Sequence, residues 1–115
     1  MEHIEWDKVG MTTDWMWNDK NHPRAEGDEI TGRYVERQDH IGDNDSSVHV
    51  IETQSKERVG IWGSMVLDGR MSRVAIGKMV KIVYLGRKDS PNRKGKQYHD
   101  YDVYQGRDYP LDESR

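Results

Sequence analysis

The chain has 115 residues, 33% of them apolar and none of them Phe, so its core must be thin and must rest on Trp, Tyr, Met, Val and Ile. The absence of Cys excludes disulfides and thiolate metal sites, and no apolar run approaches the roughly 18 residues of a membrane span. We therefore expect one small, soluble domain in the cytoplasm.

The net charge is only −3, but the segment from Lys56 to Lys96 holds eleven bases and three acids, a net of +8 that leaves −11 elsewhere. This asymmetry favours a polyanionic partner, although bases that merely solvate exposed strands give the same pattern.

Residues 1–27 form the first predicted segment, an N-terminal arm or flap without a clear helical or strand period. The segment contains Trp6, Trp15 and Trp17, whereas disordered segments are poor in aromatic residues. We predict a flap whose indoles cover an edge or mouth of a sheet. The alternative is that an indole stacks on a ligand.

Three strands are predicted next, at the start of a barrel domain over residues 28–105. The first covers residues 29–37, with Gly32 at a bulge or bend of the kind that a small barrel needs. A polar hairpin loop leads to the second strand at 46–53, and a turn leads to the third strand at 59–62.

A short helix and two further strands complete the predicted domain. Ser64 is a good N-cap, the next three residues give an apolar first turn, and Gly69 offers a stop. A turn at 76–78 leads to the fourth strand, residues 79–85, and a loop over 87–97 with five bases leads to the fifth, residues 98–104. Residues 106–115 are expected to form a polar tail.

The order of three strands, a helix and two strands predicts a mainly β fold. It is the element order of a five-stranded OB-like Greek-key barrel, in which a short helix joins strands 3 and 4. An SH3-like barrel or an irregular sandwich could be built from the same predicted strands. The position of the helix favours the OB-like barrel.

Three sequence segments resemble those of a known group of proteins: IWGSMVLDGRM (61–71), IGKMVKIVYLG (76–86) and GKQYHDYDV (95–103). They resemble small proteins of tailed phages and prophages that are similar to OB-fold single-stranded DNA-binding proteins. The resemblance covers about residues 28–104 and implies an accessory protein of phage replication or recombination, acting in the host cytoplasm beside replication proteins. The chain lacks the glycine-rich linker and the acidic-apolar tip of the bacterial proteins, so recruitment through the tail is not expected.

Aromatic residues interleaved with bases give this function a physical basis. Single strands are held by stacking on aromatic rings, about 1–3 kcal/mol per base, and by cations that follow the phosphates. The basic loop occupies the place of the loop between strands 4 and 5 that borders the binding face of an OB-fold. We predict contacts to single-stranded DNA, without sequence preference and with RNA left open, from Lys56, Arg58, Trp62, Arg87, Lys88, Arg93, Lys94, Lys96, Tyr34 and Tyr98.

Strand alternation assigns some side chains to the core instead. Tyr84 alternates with Val80 and Ile82, which predicts a core position. In the fifth strand, the even-numbered positions 98–104 carry two tyrosines and two aspartates, so that face is not an apolar core. Its carboxylates must pair with bases or turn away from phosphate.

Catalysis is the least favoured class of function. Alternation places His99 opposite Asp100 and Asp102, which argues against a metal-dependent nuclease. The five histidines show no metal-ligand spacing, and no Ser/His/Asp set can be picked out, so we predict no enzyme activity and no cofactor. The rival hypothesis is a protein-interaction module that binds a host or phage protein, and a homodimer through an open strand edge is a further alternative.

Overall fold

A computed structural model describes residues 13–106. The elements in chain order are β1 (Trp15–Met16), β2 (Glu29–Ile41), β3 (Ser46–Glu52), β4 (Arg58–Trp62), α1 (Met65–Met71), β5 (Met79–Asp89) and β6 (Gln97–Gln105). The mainly β prediction is confirmed, with the single described helix between the third and fourth predicted strands. Trp6 and positions 107–115 of the predicted tail lie outside the described residues.

The strands form one six-stranded sheet in the order β1-β4-β3-β2-β5-β6. Every neighbouring pair is antiparallel except β1 and β4, which are parallel. Within residues 13–106 no ladder joins the two ends of this sheet, so the expected closed five-stranded barrel is not formed. The outer edge of β4 is taken by β1, and α1 packs against β6, where the Nε of Arg70 donates to the carbonyl of Tyr101 at 2.7 Å.

The longest strand, β2, pairs with two neighbours, one along each part of its length. Residues Glu29 to Arg33 pair with β5, and residues from Arg33 onward pair with β3. A Cβ at Gly32 would collide with the carbonyl oxygen of Glu52 and the side chain of Ile51. The sequence predicts a bulge or bend at this glycine, but the ladder with β5 passes through it in register, and the irregularities of β2 lie after Tyr34 and after Gln38. The close approach of β3 is the physical reason for a glycine here.

Helix α1 begins where the sequence predicts and ends later. The backbone N–H of Leu67 donates to the hydroxyl of the N-cap Ser64 at 3.2 Å. Gly69 does not stop the helix, which continues to Met71 so that Leu67 and Met71, four residues apart, are both buried. At seven residues, this helix of the described chain is too short to cross a membrane.

The core lies on the inner face of the curled sheet, under α1. Trp17 is only 2% exposed and packs within it, while Trp15 lies against its margin in the edge strand β1. Tyr84 is buried, as its alternation with Val80 and Ile82 predicts. The described part of the N-terminal arm thus belongs to the same sheet and core as the rest of the chain.

Candidate nucleic-acid interface

A groove of about 1050 Å³ separates α1 from the β5–β6 hairpin. One wall is the outer side of the helix with Met65 and Arg70, continued by Arg73 in the turn that follows the helix. The other wall is the loop after β5, with Arg93 and Lys96, followed by the start of β6. The side chains of alternate β6 positions, Tyr98 and Asp100, also line the groove.

The groove carries an excess of positive charge. Arg70, Arg73, Arg93 and Lys96 stand against one carboxylate, Asp100. That carboxylate lies 3.6 Å from the Nη2 of Arg70, so the charges of Arg70 and Asp100 partly cancel. The other three cations are exposed and form no ion pair within residues 13–106. A concave surface with several unneutralised cations attracts and holds anionic ligands.

The loop that supplies Arg93 and Lys96 is a compact turn. The N–H of Lys96 donates to the carbonyl of Arg93 at 3.1 Å, and the N–H of Ser90 donates to the carbonyl of Lys96 at 2.9 Å. Gly95 has a φ of +79°, which favours glycine at the tip. These bonds hold the two cations at a fixed spacing beside the helix.

Of the ten predicted contacts, the structure brings Arg93, Lys96 and Tyr98 together in the groove. Lys88 is the cross-strand neighbour of Tyr98, and Lys94 lies exposed in the same turn. Tyr98 is the one aromatic ring of the groove in the described chain and is half-buried, so few bases can stack there. Charge, more than stacking, is therefore what this groove offers.

Two more predicted contacts, Trp62 and Arg87, line a separate cleft of about 450 Å³. The cleft is bounded by the segment 18–24, the end of β4 and the β5–β6 hairpin. Its floor is made by Tyr84 and Tyr101, whose ring centroids are 5.4 Å apart. Burial raises the pKa of Tyr101 above its ordinary value, so this phenol stays neutral.

The remaining predicted contacts lie elsewhere. Tyr34 is 2% exposed, so no base can reach its ring, and its assignment as a nucleic-acid contact is wrong because the residue faces the core. Lys56 is exposed in the turn before β4, and Arg58 is half-buried at the start of that strand. Four residue steps separate Arg58 from Trp62, about 13 Å along a strand. Neither Lys56 nor Arg58 lines the groove or the cleft.

The structure also contains a buried polar network beneath α1. The hydroxyl of Tyr34 lies 2.9 Å from the Nδ1 of His49, and the Nε2 of His49 lies 2.7 Å from the Oδ1 of Asp68. Ser47 Oγ donates to the same Oδ1 at 2.6 Å. His49 is fully buried, whereas the Asp68 side chain is 31% exposed. The network fastens the helix to β3 and β2.

Burial sets the protonation states in this network. Desolvation lowers the pKa of His49, although the hydrogen bond to Asp68 acts in the opposite direction. Desolvation also raises the pKa of Tyr34 to about 12. A neutral His49 therefore donates from Nε2 to Asp68 and accepts at Nδ1 from the Tyr34 hydroxyl. Ser47 bonds to the aspartate and not to the histidine, so the geometry is not that of a serine nucleophile with its base.

Sequence reasoning missed the two arginines on the helix side of the groove and the whole network. Arg70, in the last turn of α1, and Arg73, in the turn after it, were counted only in the charge of their segment. The facing of β3 is ambiguous in the sequence, because residues Val48 to Ile51 are buried on both faces. Among residues 13–106, no group of three or more His, Asp or Glu side chains is placed to hold a metal ion.

Comparison with protein-family models, with curated proteins and with solved structures finds no match to this chain.

Proposed function

We propose that this protein binds single-stranded DNA, largely without sequence preference, in the groove between α1 and the β5–β6 hairpin. The observation that carries the proposal is the set of exposed cations, Arg73, Arg93 and Lys96, that face one concave surface without a carboxylate partner in the described chain. Such cations neutralise phosphates and release the counterions condensed on the nucleic acid, and this release drives binding. Tyr98 adds one stacking surface within the same groove.

The proposal includes an OB-like fold whose barrel, in the described part of the chain, is not closed between β4 and β6. The order β4-β3-β2-β5-β6, the long β2 shared by two partners, and a helix between β4 and β5 all support this assignment. A role as an accessory to phage replication or recombination, next to replication proteins, rests only on the resemblance of the three sequence segments 61–71, 76–86 and 95–103.

A peptide-binding module is the second candidate, and one observation favours it. Met65 is 92% exposed at the mouth of the groove, beside Val66 and opposite the basic loop. Exposed apolar side chains next to cations suit an acidic peptide with apolar anchors. A stacked single strand makes no comparable use of Met65.

Fluorescence anisotropy with labelled oligothymidine tests the main proposal. We expect salt-sensitive binding to the single strand and weaker binding to the matched duplex. The double variant Arg93→Gln/Lys96→Gln should weaken oligothymidine binding on the order of tenfold at about 0.1 M salt. It should also lower the slope of log affinity against log salt by about 1.4, because each lost phosphate contact on single strands removes about 0.7.

The matched control is Arg37→Gln/Lys81→Gln, which removes the same charge from exposed positions outside the groove. Equal losses in the two double variants would show that only net charge matters and would contradict the groove assignment. Absence of binding to oligothymidine and to oligouridine would refute the nucleic-acid proposal. Binding to an acidic-apolar peptide that disappears in Met65→Glu would then support the second candidate.

A further inference from the structure

The cleft between the segment 18–24 and the β5–β6 hairpin combines rings with cations. Its floor is the Tyr84–Tyr101 ring pair, and Trp62 stands half-buried at its wall. Lys20 and Arg87 are exposed at its rim, and Asp19 is the one carboxylate among its lining residues in the described chain. A concave site with an apolar floor and a few charged groups at its edge suits a small amphipathic ligand, and its volume of about 450 Å³ falls within the ~300–1,000 Å³ typical of such sites.

The cleft is built in advance by the side-chain amide of Asn18. Its Oδ1 accepts from the N–H of Trp62 at 2.8 Å, and its Nδ2 donates to the carbonyl of Trp62 and to the hydroxyl of Tyr101, both at 3.1 Å. One side chain thereby fixes the end of β4 relative to β6. A preformed site binds its ligand without the cost of ordering these groups.

A bulge in β5 directs Arg87 into the same cleft. Tyr84 pairs with Tyr101 and Gly86 with Asp100, so one extra residue lies between them. In a regular strand, positions 84 and 87 would point to opposite faces, and the extra residue brings them to the same face. Gly86 has a φ of +88°, which favours glycine at this position.

His99 completes the rim opposite Arg87, its cross-strand partner. The hydroxyl of Tyr84 lies 2.7 Å from the Nδ1 of His99 and so fixes the ring. The Nε2 of His99 has no protein partner within residues 13–106 and is accessible to a ligand. Arg87 likewise forms no ion pair there, so two nitrogen-bearing side chains meet at one edge of a ring-lined cavity.

We propose that this cleft holds one nucleotide, with its base against the Trp62 wall and the tyrosine floor and its phosphate at Arg87 and His99. The proposal rests on the proposed function in one respect, namely that this nucleotide belongs to a strand whose neighbouring phosphates occupy the groove. The hairpin connects the two sites, since Lys88 and Tyr98 are the next cross-strand pair after Arg87 and His99. A DNA single strand that crosses the turn of the hairpin would reach both the groove and the cleft.

The test is an NMR titration of the full chain with thymidine 5′-monophosphate at up to about 10 mM, which detects dissociation constants near 1 mM. We expect shifts at the Trp62 indole N–H and at the amides of His99 and Tyr101, with the amides of Arg93 and Lys96 unmoved. Arg87→Gln should weaken the binding of this nucleotide at least fivefold. Because Arg87 is exposed, the variant should remain folded.

Matched ligands and variants separate the contribution of the phosphate to binding from that of the nucleoside. Thymidine without phosphate should bind the wild-type protein and Arg87→Gln equally, and Lys96→Gln should bind the monophosphate as the wild type does. Inorganic phosphate alone should shift the same amides only weakly. Absence of shifts with the monophosphate, or shifts confined to the groove, would overturn the proposal.

A parallel titration with oligothymidine distinguishes this proposal from the proposed function. If oligothymidine binds with a normal salt dependence while the cleft amides stay unmoved by either ligand, the nucleotide site is refuted and the groove stands. If the monophosphate shifts the cleft amides but oligothymidine does not bind, the nucleotide site stands and single-strand binding is refuted.

Discussion

Two tyrosine–histidine pairs in this protein have the same hydrogen bond and nearly the same ring spacing, but their surroundings differ. Tyr34 bonds to the Nδ1 of His49 at 2.9 Å, and Tyr84 bonds to the Nδ1 of His99 at 2.7 Å. Each pair is 15 residues apart, and the ring centroids are separated by 5.8 and 5.7 Å. His49 is fully buried and its second nitrogen bonds to Asp68, whereas His99 is exposed at the rim of the cleft.

The difference shows that the second ring nitrogen decides what such a pair can do. In the buried pair, both nitrogens are satisfied by the protein, so the imidazole joins three elements and contacts no ligand. In the exposed pair, the tyrosine orients the ring while Nε2 remains accessible from the cleft. We therefore expect substitutions at the first pair to change stability and those at the second to change ligand binding.

The largest effect is expected from Asp68→Ala. Its Oδ1 accepts from both Ser47 and His49, and both residues are buried, so the substitution leaves two donors without a partner. Each unsatisfied buried donor costs roughly 1–3 kcal/mol, so we expect the free energy of unfolding to fall by about 2–4 kcal/mol. Urea denaturation followed by tryptophan fluorescence measures it.

The control for this substitution is Asp43→Ala, at an exposed position in the turn before β3. It should change the free energy of unfolding by less than about 0.5 kcal/mol. A similarly small change in Asp68→Ala would show that the network does not fasten the helix to the sheet.

A direct comparison of the two pairs comes from removing each tyrosine hydroxyl. Tyr34→Phe leaves the Nδ1 of a fully buried imidazole unsatisfied, and we expect a loss of about 1–3 kcal/mol in the free energy of unfolding. Tyr84→Phe should cost less than about 1 kcal/mol, because water can bond to the exposed His99 instead. Equal losses, measured under the same denaturation conditions, would remove the distinction between the pairs.

The protonation of His49 should give a smaller, pH-dependent effect. Desolvation lowers its pKa in the folded state, so below the ordinary value of about 6.5 the unfolded chain binds more protons than the folded one. Stability from this group is therefore complete above about pH 6.5 and declines as the pH falls towards the folded-state pKa. The exposed His40, whose pKa is raised by its hydrogen bond to Asp45, acts in the opposite direction.

Two measurements check this prediction. The free energy of unfolding between about pH 7.5 and 5.5 should fall on acidification, and the fall should be smaller in His49→Gln. An NMR titration of the His49 imidazole in the native protein gives the direction independently. A midpoint at or above the value of an unfolded histidine would contradict the assigned neutral state.

The sequence predicted the elements better than their relationships. Ser64 as N-cap and the turn at Gly77 were identified because each depends on local backbone chemistry. The fourth predicted strand ended too early, at Leu85, because a bulge allows β5 to continue to Asp89. Gly86 was the available signal, but a glycine marks a bulge and a turn equally well.

The parts of the candidate site that depend on tertiary contacts could not be predicted. The basic turn was found from composition, whereas its placement opposite Arg70 and Arg73 depends on how α1 packs against β6. Tyr34 was taken for a ligand contact because an aromatic residue in a strand has the same local pattern on either face. Its partner His49 lies 15 residues away on the next strand, and no local period connects them.

The smallest effect on stability, and the sharpest test of the comparison, is expected from His99→Gln. The exposed imidazole makes its hydrogen bond to Tyr84 at the rim, so the free energy of unfolding should change by less than about 0.5 kcal/mol. If the Nε2 of His99 donates to a bound phosphate, the affinity for thymidine 5′-monophosphate should fall about threefold to tenfold, as expected for one hydrogen bond of about 1 kcal/mol. The affinity for thymidine should not change, since it has no phosphate. A variant that loses stability but binds the monophosphate normally would make His99 a structural residue like His49, and the contrast between the two pairs would then reduce to burial alone.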